Sequence, residues 1–130
     1  MLAVLFRIPM KFILPFGWTI AMVTMLLLPG SSIPKTDITL IPNMDKLVHF
    51  ALFAGFVFLW GLYLRDKSDW KKWRGMMVLL TFSAIALGVI IEFIQDYVII
   101  TRTFDPADIL ANSLGAICAA ATIVYLKGKD

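Results

Sequence analysis

One cysteine and one histidine occur in the 130 residues of this chain. A lone cysteine excludes an intrachain disulfide, and Cys118 sits in an apolar stretch beside Ala119 and Ala120, where it reads as packing. A lone histidine, His49, excludes the short-spaced histidine pairs from which zinc sites are commonly built. The chain also has no nucleophile elbow, no phosphate-binding glycine loop and no Cys-x-x-Cys. Charge is scarce as well, at 16% of residues, against about 25% in a typical soluble domain. No internal repeat or low-complexity segment is present.

Apolar residues are abundant: 60% of the chain is hydrophobic and the mean hydropathy is +0.85. They gather in four stretches: Phe12–Leu28, Leu47–Leu64, Met76–Ile94 with an apolar continuation to Ile100, and Ile109–Leu126. Each approaches the roughly 17–25 residues that a membrane-spanning helix needs. The expected fold is therefore all-α: one integral membrane domain over residues 1–130, a bundle of four transmembrane helices. The spans are placed near 12–28, 47–64, 76–98 and 107–126. Arg7 and Lys11 before the first apolar stretch give it the look of a signal peptide. The following Pro29-Gly30-Ser31-Ser32 is a poor Ala-x-Ala-like site, so the stretch is read as a retained anchor.

The net charge of +3 is distributed by topology. Nine basic residues flank one side of the expected spans: Arg7, Lys11, Arg65, Lys67, Lys71, Lys72, Arg74, Lys127 and Lys129. Only Lys35, Lys46 and Arg102 lie on the other. By the positive-inside rule both termini and the middle loop are expected in the cytoplasm. The basic excess then needs no nucleic acid partner. The loop Arg65–Arg74, with Trp70 and Trp73, reads as an interfacial anchor.

Small residues recur every four positions: Ala51 and Gly55, Ala84 and Gly88, then Ala111, Gly115 and Ala119. Such faces let membrane helices approach closely. They serve either a compact bundle or a homo-oligomer, and the spacing does not choose between them.

Three polar clusters interrupt the apolar chain near the less basic side: Asp45-Lys46-Leu47-Val48-His49, Glu92-Phe93-Ile94-Gln95-Asp96, and Arg102–Asp105 with Asp108 and Asn112. Counting 1.5 Å per residue places His49, Glu92 and Asn112 each roughly 5–6 Å below the outer surface. Polar groups in lipid are costly, so a gathering at one depth suggests a site. Helical spacing puts Asp45 and His49 on one face, and Glu92 on the line of Ala84 and Gly88. Asp105, Pro106 and Asp108 read as N-cap, first helical residue and acidic first turn. Asp45 is open to the same reading. The narrower candidate set is Lys46, His49, Glu92, Gln95, Arg102, Asp108 and Asn112.

The pattern Asp45-Lys46-x-x-His49, Glu92-x-x-Gln95, then Arg102 with Asp108, Asn112 and Gly115 resembles the VanZ-like membrane family. The match covers roughly residues 43–120. One departure is visible: the family often has a further glycine where this chain has Ala119. The resemblance implies a multi-pass protein of the bacterial cytoplasmic membrane, in a family whose founding member is associated with teicoplanin resistance. It supplies no mechanism.

Three functions fit these residues. The first is binding of an anionic envelope lipid or precursor headgroup, with Lys46 and Arg102 beside two outward helix N-termini. The second is an enzyme acting on a lipid-linked phosphate, with His49 as base and Glu92 orienting it. The third is a scaffold or partner-binding subunit. No cofactor or metal is expected, because the only N/O set, His49, Glu92 and Asp108, lacks a short-spaced ligand pair. A channel is disfavoured because the polar groups do not continue to the basic side.

Overall fold

The computed structural model describes residues 10–37 and 40–128. Four α-helices occur there: α1 Met10–Leu27, α2 Met44–Arg65, α3 Trp70–Val98 and α4 Pro106–Lys127. No strand is present among the described residues. The expected all-α class stands. Helices α2, α3 and α4 are long and apolar enough to cross a membrane. Helix α1 is apolar, but over the described residues it is shorter than the other three. Arg7 and Lys129 of the charge count lie outside the described residues.

The helices run antiparallel in chain order. One end of the bundle gathers the end of α1, the start of α2, the end of α3 and the start of α4. There Gln95 Nε2 donates to the Leu26 carbonyl at 2.5 Å, and His49 meets Asn112. At the opposite, basic end Lys11 pairs with Asp66 at 2.7 Å. The Trp73 indole N–H donates to the Gly61 carbonyl at 2.9 Å.

Helix α3 starts six residues before the expected position 76. Asp69 caps it, its Oδ1 accepting the Lys72 N–H at 2.9 Å. This draws Trp70–Arg74 out of the expected loop and into the helix. Trp73 is consequently fully buried, so it is a core residue and not an interfacial anchor. At 29 residues α3 is about 43 Å long, more than the roughly 30 Å hydrocarbon core.

The most intimate pairing is α2 with α4. Gly115 makes it close: a Cβ there would lie 2.2 Å from the Phe50 carbonyl oxygen. Gly88 gives α3 the same access to α4, since its Cβ would lie 3.0 Å from Asn112 Nδ2. Gly55 receives the Trp18 indole of α1, whose N–H donates to the Leu52 carbonyl. Ala84, Gly88, Ala111, Gly115 and Ala119 are all buried inside the bundle. The small faces therefore serve contacts within one chain, and only Ala51 of the set stays exposed. Phe53, Val57, Met77, Ile91 and Ile123 fill the apolar core between these crossings.

Candidate functional site

The polar residues converge at the end where α2 and α4 begin and α3 finishes. The start of α4 organises them. Asp105 is its N-cap and accepts the Ala107 N–H at 2.9 Å through Oδ1. Pro106 follows at the first helical position, where its missing N–H costs nothing. Helix α2 starts differently. Asn43 stands before it at φ 61°, with no side-chain capping bond, and Asp45 falls in the first turn. Asp45 is therefore not the cap.

Lys46 is the centre of an ionic cluster. Its Nζ lies 2.5 Å from Asp105 Oδ2, 2.7 Å from Asp45 Oδ2 and 3.0 Å from Asp108 Oδ1. The Asp108 contact is ionic without hydrogen-bond alignment. The ammonium beside Asp105 holds that carboxyl below the usual carboxylate range. These three aspartates bring oxygens within 4.8 Å of one another, an arrangement able to hold a metal ion. The chain's own ammonium occupies that position. Lys46 consequently offers no free charge to an external anion, contrary to the expectation from its place beside a helix N-terminus.

His49 is buried one turn further along α2. Its Nδ1 lies 3.0 Å from Asn112 Oδ1, and its Nε2 lies 3.7 Å from Asp108 Oδ2. The carboxylate facing His49 is thus Asp108, where the sequence pointed to Glu92.

Glu92 is fully buried and works elsewhere. Its Oε1 accepts the backbone N–H of Asp105 at 2.7 Å, binding α3 to the start of α4. One turn on, Asp96 Oδ1 accepts the Phe104 N–H at 3.0 Å. From the other side the Gly30 N–H donates to Thr101 Oγ1 at 2.9 Å. These bonds pin the connection between α3 and α4 on both flanks of Arg102. Gln95, the remaining candidate on α3, points at α1 and holds Leu26. Asp96 and Thr101 were not in the expected set. Their bonds go to backbone N–H groups, a role that residue type alone does not announce.

Beside this network lies a cleft of about 600 Å³. Met25, Leu26 and Leu28 of the α1 end, Leu40, and Val48 and Leu52 of α2 give it apolar walls. Lys35, Asp45, His49 and Arg102 supply the polar part of the lining. Neither Lys35 nor Arg102 makes an ion pair among the described residues. Arg102 Nε is buried without a hydrogen-bond partner. Of the seven expected residues, His49 and Arg102 reach the cleft. Lys46, Asp108 and Asn112 support its wall from behind, while Glu92 and Gln95 hold the frame.

A family model described as VanZ/LLP1 matches residues 3–127. The chain belongs to the VanZ/LLP1 family. The match runs through all four helices, so the polar corner and the cleft lie wholly inside the VanZ/LLP1 region. No curated protein and no solved structure matches the chain.

Proposed function

We propose that this VanZ/LLP1 chain is a four-span protein of the bacterial cytoplasmic membrane. Its cleft holds an amphiphile with an anionic headgroup, an envelope lipid or a lipid-linked precursor. The observation that carries this reading is the pairing of apolar walls with two cations, Arg102 and Lys35, that make no ion pair among the described residues. A guanidinium matches phosphate oxygens in a planar, bidentate way. The apolar walls match a lipid tail, and Met25, Leu28 and Val48 are exposed toward the surroundings of the bundle. Lys46 is already engaged by three carboxylates, so this reading takes Arg102 with Lys35 as the cation pair. A role in envelope maintenance or in teicoplanin resistance belongs to the same reading.

The test is binding of farnesyl monophosphate, compared with farnesol, to purified protein by native mass spectrometry. Wild type is expected to retain the phosphate over the alcohol. Arg102→Ala is expected to weaken retention about tenfold or more, the loss of a charge-assisted hydrogen bond. Equal retention of phosphate and alcohol, or an unaffected Arg102→Ala variant, removes the reading.

A second reading draws on His49. An imidazole that lines the cleft and faces Asp108 at 3.7 Å has the makings of a general base held by a carboxylate. Under this reading the protein turns over a lipid phosphate ester, and His49→Ala abolishes turnover while the ligand is still retained. A wild type inert toward such esters leaves the binding reading alone.

A further inference from the structure

A second groove lies at the basic end, away from the polar corner. It runs between α3 and α4, measures about 510 Å³ and is bordered by Met77, Phe82 and Ile85 on one side and Ile117, Ala121 and Val124 on the other. Thr81 also lines it, but its hydroxyl donates to the Met77 carbonyl at 2.8 Å. Apart from Arg74 at its end, the lining thus offers an occupant no unsatisfied side-chain hydrogen-bonding group. The walls suit a hydrocarbon chain.

Arg74 is the one charged residue in the lining. It is exposed and makes no ion pair among the described residues. Its guanidinium lies over the Trp70 ring, 5.7 Å from the centroid. A guanidinium stacked by its face keeps its N–H edge for a planar acceptor. Lys67, Lys71 and Lys72 stand at the same end but do not line the groove. Arg65 lies over Trp70 and Trp73 and donates to the Ser68 carbonyl, and Lys11 is paired with Asp66. Arg74 is therefore the cation positioned to meet an anion at the end of an apolar groove.

We infer that this α3–α4 groove is a binding site for an acidic phospholipid, with one acyl chain between the helices and the phosphate on Arg74. Basic pockets between spanning helices take anionic headgroups in this way. The site is independent of the cleft near Arg102. It lies at the opposite end of the bundle and shares no lining residue with it. Its occupant is a bulk membrane lipid recognised by charge, and it ties the basic end of the bundle to an acidic leaflet.

The test uses full-length protein in nanodiscs of mixed phosphatidylglycerol and phosphatidylcholine, released into native mass spectrometry. Wild type is expected to retain phosphatidylglycerol in preference to phosphatidylcholine. Arg74→Ala is expected to cut that preference about fivefold, the effect of one cation near an acidic surface. Ala121→Phe fills the exposed groove without touching the core and is expected to reduce retention of both lipids. Because the cleft near Arg102 also takes an anionic lipid under the reading above, Arg74→Ala is repeated in an Arg102→Ala background, where it is expected to lower the remaining preference by the same factor, which separates the two sites. Two outcomes overturn the inference: a preference unchanged in Arg74→Ala, or release of a lipid-free dimer that Ala121→Phe converts to monomer. The second assigns the groove to another copy of the chain.

Discussion

Asp105 performs two tasks with two oxygens. Oδ1 caps α4 and Oδ2 pairs with Lys46. The Lys46 ammonium depresses its pKa, so its stabilising contribution is present above the unfolded value, about 3.9. That contribution is lost as pH falls through the lower folded value. Asp66, held down by Lys11 at the basic end, acts in the same direction. Thermal unfolding in detergent is therefore expected to shift to lower temperature as pH is lowered from 7 toward 3. Asp105→Asn is expected to flatten part of that slope while keeping the cap, since Asn caps about as well as Asp. A slope unchanged by Asp105→Asn contradicts the Lys46–Asp105 assignment. The cap was legible in the sequence because Asp105-Pro106 is a local signal. The ionic cluster was not, because Lys46 and Asp105 are 59 residues apart and meet only through the packing of α2 on α4. The partner of Glu92 was hidden for the same reason. A carboxylate deep in an apolar helix signals a partner, and the sequence does not say that the partner is a backbone N–H across the bundle.

At the scale of the elements, glycines decide which helices touch. Gly115→Ala places a methyl group 2.2 Å from the Phe50 carbonyl oxygen, against backbone that cannot swing aside. The expected cost is about 1–3 kcal/mol, typical of overpacking, read as a lowered midpoint in thermal unfolding. Gly75→Ala is the control, because a Cβ there meets nothing within 4 Å. Equal effects from the two substitutions refute the close crossing. Helix existence was legible from length and hydropathy, and the four-residue spacing of small residues marked the faces that are in fact buried. The start of α3 was not. Lys71, Lys72 and Arg74 look like loop residues until Asp69 is recognised as a cap. The short connection between α2 and α3 then brings Trp73 under Gly61.

For the whole molecule, the uneven charge predicts an orientation. The basic end carries Arg65, Lys67, Lys71, Lys72 and Arg74, and the polar corner lies at the other end. In a Cys118→Ser background, a membrane-impermeant thiol reagent is expected to label Ser32→Cys in intact spheroplasts. It is expected to label Lys67→Cys only after permeabilisation. The reverse pattern inverts the topology and moves the cleft to the cytoplasmic face. That three helices can span followed from composition alone. The cleft did not, because its walls come from α1, α2 and the connection before α4. No sequence window contains all of them.

At Gly115 no side chain separates α2 from α4, and each backbone shields the other from solvent. Helix α1 is different: it packs on α2 and α3 from outside and makes no substantial contact with α4. Two lifetimes follow. Amides near Phe50 and Gly115 are expected to exchange more slowly with solvent than those of α1, which lies on one side of the bundle. The cleft is walled by the end of α1, so under the proposed binding reading the residence time of a lipid there is expected to follow the motion of α1.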